Sequence, residues 1–274
     1  MNKISMALAR ARTLNIDGLE AQMLLLHVMQ RPLHDRAWLL LNDSLDLLPS
    51  QQLQFEQGLQ QLLNHVPLAY LTGWQSFHGL ALQVTPDVLV PRADTETLVD
   101  WALSLDLAQA RVVDLGTGSG AVALALKHKR PHWSVHALDQ SPQALRVAQA
   151  NAARLQLDVA FMTGDWLAQV STTFDLIVSN PPYIAQGDPH LPQLIHEPSS
   201  ALISGPRGLN DLQAIISQAP NCLQPGGWLL LEHGYDQAQA VCELLHENGF
   251  TQVQSRNDLA GIVRCSGGKR REVK

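Results

Sequence analysis

Residues 111–120 read Arg-Val-Val-Asp-Leu-Gly-Thr-Gly-Ser-Gly, an apolar strand pattern that ends in a glycine-rich turn. Residues 121–126, Ala-Val-Ala-Leu-Ala-Leu, then favour a helix. Strand, glycine turn and helix in this order are typical of a cofactor-binding loop at the carboxyl edge of a parallel sheet. The glycine spacing suits dinucleotides and S-adenosylmethionine alike, so this loop alone leaves nicotinamide and methyl-donor cofactors both open.

Asp139 ends the next predicted strand, about 20 residues beyond the glycine loop. An acidic residue at that place in an open parallel sheet can accept hydrogen bonds from both hydroxyls of a ribose. Ser141 and Pro142 follow, and they predict a helix start because serine caps free N–H groups and proline fits the first helical position. Asp139 is therefore a predicted cofactor ligand.

Further strand patterns alternate with helical ones along the rest of the chain. Residues 174–178 read Phe-Asp-Leu-Ile-Val, and strands are also predicted at 228–232, after a Pro-Gly-Gly turn, and at 261–265. Alternation of this kind predicts an α/β fold, in which a mostly parallel sheet carries helices on both faces.

A rigid polar loop, Asn180-Pro181-Pro182-Tyr183, follows the strand at 174–178. Its two prolines have fixed φ and no N–H, so the loop is stiff and its carbonyl groups stay free. The Asn180 side-chain oxygen and the Pro181 carbonyl can accept the two hydrogens of a planar –NH₂ group, while Tyr183 packs on its flat face. Because an amide or aryl nitrogen is a poor nucleophile, this loop predicts catalysis by orientation rather than by a strong base.

Taken together, these segments resemble the release-factor glutamine methyltransferases. The order and spacing of six segments carry the resemblance, which covers most of the chain. The matching segments are residues 67–73, 90–96, 114–120, 164–166, 179–184 and 197–202. The resemblance implies a Rossmann-like, seven-stranded class I methyltransferase sheet together with a small all-helical N-terminal domain joined by a β-hairpin.

The same resemblance implies an activity and a set of site residues. The enzyme would use S-adenosylmethionine to methylate the side-chain amide of the glutamine in the Gly-Gly-Gln loop of peptide chain release factors. The residues implied to bind the cofactor are Gly116, Thr117, Gly118, Ser119, Gly120, Asp139, Trp166 and Asn180. The residues implied to bind the target glutamine are Asn180, Pro181, Pro182 and Tyr183, with Asn180, Pro181 and Tyr183 as the catalytic group.

The chain is predicted to have four parts. Residues 1–73 show apolar residues at helical spacing, including Leu19, Leu26, Leu53 and Leu59, which predicts a small helical domain suited to docking on a protein or to local packing. The resemblance implies that this helical domain docks the substrate. Residues 74–92 form a predicted hairpin linker, residues 93–268 the methyltransferase domain, and residues 269–274 a basic, solvated tail.

Three charged residues of the matching segments are left with two interpretations each. Arg92 and Glu96 can contact the cofactor or form an ion pair between the hairpin and the next helix. Glu197, which precedes Pro198, can contact a ligand or serve as a structural cap.

Composition restricts the partners. The 274 residues include 19 Lys and Arg against 25 Asp and Glu, a net charge of −6, and residues 1–73 carry 5 basic and 6 acidic side chains. A nucleic-acid enzyme needs a basic footprint, so methylation of a flipped base by the same loop is the weaker alternative. A non-catalytic adaptor is disfavoured by the intact loops, and a nicotinamide enzyme leaves the two prolines unexplained.

The remaining features predict an intracellular protein without metal. The three cysteines form no CxxC pair, and the 11 histidines show no ligand spacing, so no metal site is predicted. Arg10 and Arg12 interrupt the apolar N-terminus before an export signal can form, and no apolar run approaches the length of a membrane span. We therefore expect a cytoplasmic, monomeric protein with no membrane contact.

Overall fold

The computed structural model describes residues 3–272. Within this range the chain divides into two compact units. The first contains the residues up to Trp74 together with Gln193–His196, and the second contains Gln75–Pro192 and the residues from Glu197 onward. The first two and last two residues of the chain, which belong to the predicted docking domain and the predicted tail, lie outside the described part. No described helix combines the length and apolarity that a membrane span requires.

The first unit is helical. Its helices are α1 (Ile4–Thr13), α2 (Gly18–Val28), α3 (Arg36–Leu41), α4 (Pro49–Leu63) and α5 (Leu68–Thr72). Asp17 caps α2 by accepting hydrogen bonds from the backbone N–H groups of Leu19 and Glu20, at 2.8 and 3.1 Å. Pro49 takes the first position of α4, where its missing N–H has no cost.

The core of the first unit lies between α2 and α4. The leucines at 24–26 in α2 are buried with Phe55 and Leu59 of α4. Two other leucines of the helical pattern, Leu19 and Leu53, lie in α2 and α4 but are 47% and 60% exposed. These helices carry more leucine than one helical face can bury.

The second unit begins with a hairpin and continues with alternating helices and strands. Short 3₁₀ helices lie at Ala93–Thr95, Leu191–Gln193 and Ser199–Ala201, of which the second crosses the boundary between the units. The other elements, in chain order, are β1 (Trp74–Phe77), β2 (Leu80–Gln83), α6 (Glu96–Ser104), β3 (Arg111–Leu115), α7 (Ala121–Lys129), β4 (Ser134–Asp139), α8 (Pro142–Leu155), β5 (Ala160–Thr163), β6 (Phe174–Ser179), α9 (Asn210–Cys222), β7 (Leu223–Glu232), α10 (Ala238–Glu247), β8 (Phe250–Asn257) and β9 (Val263–Arg270).

Seven strands of the second unit form one sheet in the order β5-β4-β3-β6-β7-β9-β8. The strands from β5 to β7 pair in parallel, and β9 runs antiparallel to both of its neighbours. Leu115 of β3 lies opposite Leu138 of β4 and Ser179 of β6, so these three strands end at the same edge of the sheet. The predicted seven-stranded α/β fold is confirmed.

Both faces of the central strands are buried. Val112 and Leu176 belong to one hydrophobic cluster, while their chain neighbours Val113 and Ile177 belong to the other, and all four have no exposed surface. Successive side chains of a strand point to opposite faces, so a continuous apolar run is what a sheet covered by helices on both sides requires. This core holds the strand ends, and the loops that follow them, in fixed positions.

The chain end differs from the predicted basic tail. Lys269 and Arg270 belong to β9, in which Gly267 and Gly268 pair with Leu230 and Leu229 of β7. A Cβ on Gly267 would lie 2.5 Å from a backbone oxygen of β7 and 2.6 Å from a leucine side chain. The two glycines therefore permit close packing of a buried strand, and they do not mark a solvated terminus.

Candidate active site

A cavity of about 290 Å³ opens at the carboxyl edge of the sheet in the second unit. The glycine loop, the end of β4, Trp166 and the loop after β6 all line it, as the strand order requires. Two further walls, residues 86–89 and 198–201, were not predicted from the sequence. Residues 86–89 carry no motif, and residues 198–201, although part of the matching segment 197–202, had no predicted site role, so only the folded chain shows that both lie beside the cavity.

Several backbone N–H groups of the glycine loop donate hydrogen bonds within the protein. The N–H of Gly116 donates to the Leu138 carbonyl and the N–H of Gly118 to Asp139 Oδ2, both at 2.8 Å. The two glycines also have a steric role. Gly116 and Gly118 have φ of +69° and +55°, and a Cβ on Gly116 would lie 3.2 Å from the Trp166 ring. Glycine here keeps the cavity open.

The other three residues of the loop do not line the cavity. Thr117 Oγ1 donates to Asp114 Oδ2 at 2.6 Å, and the Ser119 carbonyl accepts from Asn151 Nδ2 at 3.0 Å. A Cβ on Gly120 would lie 2.9 Å from a leucine side chain of α7. These residues brace the loop from behind. Asn151 was missed by sequence reasoning, although a polar residue on the apolar face of α8 is a visible signal.

Asp139 combines burial with several hydrogen bonds. Its Oδ2 accepts from Gly118 and its Oδ1 accepts from the Ser141 N–H at 2.9 Å, and the residue is 8% exposed. Burial raises the pKa of the carboxyl group above its ordinary value, against these hydrogen bonds, which lower it. Each carboxylate oxygen has a second lone pair, so Asp139 can still accept hydroxyl hydrogens from a ligand in the cavity.

Trp166 is held in place by a residue distant in sequence. Its indole N–H donates to Asp211 Oδ1 at 3.1 Å, while Asp211 Oδ2 accepts from Ser204 Oγ at 2.6 Å. The half-buried ring thereby lines the cavity beside Gly116. Nothing in the sequence around Asp211 indicated this contact.

Asn180 lines the cavity with a side-chain amide of defined orientation. Its Nδ2 donates to Thr95 Oγ1 at 3.1 Å, and Thr95 is 4% exposed. The amide oxygen is therefore the atom left for a ligand. Pro182 also lines the cavity, whereas Pro181 is buried outside the lining.

Tyr183 points away from the cavity. Its hydroxyl donates to Glu232 Oε1 at 3.3 Å, its carbonyl accepts from Gln237 Nε2 at 3.0 Å, and its ring packs on a hydrophobic core cluster. A Cβ on Gly208 would collide with the same carbonyl. The structure thus shows Tyr183 as an anchor of the loop.

The three charged residues with open roles lie outside the cavity lining. Arg92 donates to Glu197, whose other carboxylate oxygen accepts the Val90 N–H at 3.1 Å. Glu96 accepts the backbone N–H of His78 at 2.7 Å. The Arg92–Glu197 pair links the segments that form the two unpredicted walls.

Asp114, behind the glycine loop, gives a pH-dependent stability prediction. Burial raises its pKa to about 7, so the stability that the protonated group provides is present at low pH and lost as the pH rises through about 7. Asparagine carries no charge, and its oxygen can still accept from Thr117 and Ala123. Asp114→Asn should therefore raise the free energy of unfolding relative to wild type by on the order of a few kcal/mol at pH 8.5, and by about half as much at pH 5.5, because Asp114 with its ordinary pKa of 3.8 is already ionised in the unfolded chain at that pH.

Scanning calorimetry of both proteins at the two pH values measures this difference. Glu232, whose pKa burial also raises to about 7, titrates in wild type and variant alike and cancels in the comparison. A difference in melting temperature that is the same at both pH values would contradict the assignment.

Comparisons with known proteins identify the family. Residues 94–208 match the Methyltransferase small domain, and residues 1–73 match the PrmC N-terminal domain. The chain is 46% identical over 269 residues to the release factor glutamine methyltransferase of Xylella fastidiosa strain 9a5c, covering 96% of this chain and 97% of that protein. It is 43% identical over 257 residues to the protein of the same name from Coxiella burnetii, covering 92% and 91%.

A solved structure has a similar fold over part of the chain. It is the Thermus thermophilus 16S rRNA N2 G1207 methyltransferase in complex with AdoMet and guanosine, with a TM-score of 0.53 and 19% identity, covering 72% of this chain and 50% of that chain.

The cavity fits the cofactor of this family. Glycines without Cβ leave room beside Trp166, Asp139 offers acceptors for hydroxyl groups, and Trp166 offers a flat apolar face. S-adenosylmethionine is thus the cofactor, and the resemblance inferred from the sequence is confirmed. With matches that cover nearly the whole length of both relatives, the chain belongs to the release factor glutamine methyltransferase family.

Proposed function

We propose that this chain transfers a methyl group from S-adenosylmethionine to the side-chain amide nitrogen of the glutamine in the Gly-Gly-Gln loop of peptide chain release factors. The observation that carries the proposal is the Asn180 amide, which donates to Thr95 and so presents its oxygen at the cofactor cavity. An oxygen acceptor at this place suits a substrate that brings an –NH₂ group.

The residues that hold the cofactor would be Gly116, Gly118, Asp139 and Trp166, all of which line the cavity. When bound, S-adenosylmethionine supplies an activated methyl group on a sulfonium sulfur. The predicted contributions of Thr117, Ser119 and Gly120 become indirect, because these residues brace the loop from behind.

The target amide would be oriented by two acceptors. The Asn180 side-chain oxygen and the Pro181 carbonyl would each accept one hydrogen of the glutamine –NH₂, and Pro182 would form part of the wall. Orientation matters most here because the amide nitrogen is conjugated and weakly nucleophilic. The nitrogen gains the methyl group and gives one proton to solvent. Contact between Tyr183 and the target stays a prediction, since its hydroxyl is turned to Glu232.

The domain assignment belongs to the same proposal. Residues 1–73 would dock the release factor, and residues 74–92 would link this domain to the methyltransferase domain. The methyltransferase domain would run from residue 93 into β9. The net charge of −6 supports a protein partner over a nucleic acid, and we propose a monomeric, cytoplasmic enzyme.

The decisive experiment is peptide-resolved mass spectrometry of a purified release factor after incubation with this protein and S-adenosylmethionine. We expect one added methyl group on the glutamine of Gly-Gly-Gln, and none on a release factor in which that glutamine is alanine. Parallel reactions contain tRNA, rRNA or DNA. Methyl transfer to one of these, without transfer to the release factor, would show that the protein is a nucleic-acid methyltransferase instead.

A further inference from the structure

Glu232 is a buried carboxyl group beside the proposed target loop, and no role has been assigned to it. It ends β7 and is 1% exposed. Ser179 of β6 pairs with Leu231 of β7, so Asn180 and Glu232 are the next residues along two adjacent strands. A carboxyl group removed from water is costly unless neighbouring groups satisfy it, so its partners indicate what it does.

Two hydroxyl groups from separate parts of the chain face this carboxyl. Tyr183 donates to Oε1 at 3.3 Å, and the Thr95 hydroxyl lies close enough to lower the pKa of the group. Oε2 is buried without a hydrogen bond of normal geometry in the described part of the chain. Both hydroxyls are connected to the loop at 180–183. Tyr183 is itself a residue of this loop, and the Thr95 hydroxyl accepts a hydrogen bond from the Asn180 amide.

The hydrogen bonds around Thr95 favour one direction. Thr95 Oγ1 accepts from Asn180 Nδ2, which leaves the single hydroxyl hydrogen of Thr95 to point elsewhere. Thr95 is 4% exposed, so this hydrogen needs an acceptor inside the protein, and the nearby Glu232 carboxyl, whose Oε2 has no hydrogen-bond partner among the described residues, offers one. We propose that Glu232 is a positioning residue, whose carboxylate fixes the direction of the chain Asn180–Thr95–Glu232 and so turns the Asn180 oxygen toward the target amide.

Protonation of Glu232 would remove this direction. A protonated carboxyl is itself a donor, and donation to Thr95 would release the Asn180 amide to present either atom. The groups that face Glu232 are Tyr183 from the target loop, Asp94 beside Thr95, and Arg264 and Cys265 from β9. Arg264 lies within 3.3 Å of Asp94 and 3.1 Å of Asp258, so its charge is shared among several carboxylates.

This environment leaves Glu232 poised to titrate near neutral pH. Burial raises its pKa to about 7, and Asp94 raises it further, while Arg264 and the two hydroxyls lower it. The ionised form, which is the competent one, dominates above that pH. We therefore expect kcat to fall as the pH drops through about 7.

The inference rests on the proposed function, and a set of variants tests the two separately. Methylation of a release factor is measured with radiolabelled S-adenosylmethionine between pH 5.5 and 8.5, at saturating concentrations of both substrates. The variants are Glu232→Gln, which preserves shape, Thr95→Val, which removes the hydroxyl, and Thr95→Ser, which retains it. Cofactor affinity is measured for each by titration calorimetry. Asp114, whose pKa burial also raises to about 7, is present in every variant, so only the part of the pH dependence that Glu232→Gln removes is assigned to Glu232.

We expect Glu232→Gln and Thr95→Val to lower kcat at pH 8 by about tenfold or more, with cofactor affinity within about threefold of wild type. Thr95→Ser should recover most of the lost activity. Glu232→Gln should also lose the fall of kcat below pH 7, an effect that a merely structural role would not produce.

Wild-type kcat values in both Glu232→Gln and Thr95→Val, or an acidic fall unchanged by Glu232→Gln, would overturn the inference. If Glu232→Gln does not fold, the contrast between Thr95→Val and Thr95→Ser decides, because equal activities in that pair would overturn it too. Failure of the proposed function is distinguished by the wild-type protein, which would then methylate no release factor at any pH, whereas full activity of Asn180→Ala would refute the amide clamp alone.

Discussion

Replacing Asn180 with alanine is expected to lower kcat for release-factor methylation by about 10²- to 10³-fold. The change removes the side-chain oxygen at the cavity and leaves the target nitrogen with only the Pro181 carbonyl as an acceptor. A preorganised polar contact aimed at the reacting group is commonly worth this much, and a weakly nucleophilic amide depends on orientation more than most substrates. Steady-state kinetics with saturating S-adenosylmethionine measures the loss.

The same variant also separates two roles that the sequence left joined. Asn180 was predicted to contact both cofactor and target, and the structure places it in the lining of the cavity that both would share. A cofactor dissociation constant within about threefold of wild type, with kcat reduced, assigns Asn180 to the target. A tenfold weaker cofactor would assign it mainly to S-adenosylmethionine. Unchanged turnover would refute the clamp.

A matched control comes from the same residue type elsewhere. Asn248 caps the end of α10, where its Nδ2 donates to the Leu244 carbonyl at 2.8 Å, and it does not line the cavity. Asn248→Ala loses an asparagine side chain and one hydrogen bond without approaching the target loop. Its kcat should equal that of wild type, so a loss shared by both variants would point to folding rather than to chemistry.

The sheet edge could be predicted because strand order and strand ends are properties of local sequence. The predicted strand Arg111–Leu115 agrees residue for residue with β3, and the glycine turn that follows Leu115 marks its end. Parallel strands end at one edge, so Asp139 and Asn180 had to lie near the glycine loop once those strands were assigned.

The supports of the site could not be predicted in this way. Thr95 and Glu232 contact the loop at 180–183 from positions 85 and 49 residues away, and Asp211 holds Trp166 across 45 residues. No periodicity links such partners, because each contact depends on where the whole sheet places a loop. The sequence shows the residues that carry the chemistry, whereas their orientation is decided by buried polar partners that only the folded chain reveals.

Gly267 and Gly268 show a second limit of prediction from the sequence. A glycine pair followed by basic residues is compatible with a solvated chain end, and also with a strand that must pass close to its neighbour. The choice between the two depends on whether a partner strand and a bulky side chain lie opposite. Here Leu229 and Leu230 of β7 lie opposite, and Phe250 of β8 packs against Gly268.

Asp139→Ala is expected to weaken S-adenosylmethionine binding by about 100-fold, with kcat at saturating cofactor within a few-fold of wild type. The carboxylate is the proposed acceptor for the ribose hydroxyls, and hydrogen bonds to a charged partner are worth about 1.5–3 kcal/mol each. Its loss also leaves the N–H groups of Gly118 and Ser141 without their acceptor, which loosens the glycine loop. Titration calorimetry gives the affinity directly.

Two further variants show which property of Asp139 matters. Asp139→Asn keeps one acceptor oxygen but places an –NH₂ group against one of the two backbone donors, so its affinity should fall between wild type and alanine. Asp158→Ala removes an exposed carboxylate ahead of β5, outside the cavity lining, and should bind like wild type. If Asp139→Ala bound the cofactor within threefold of wild type, the carboxylate would serve the glycine loop alone. If instead kcat of Asp139→Ala stayed low even with excess cofactor, Asp139 would orient the reacting groups as well as bind the cofactor.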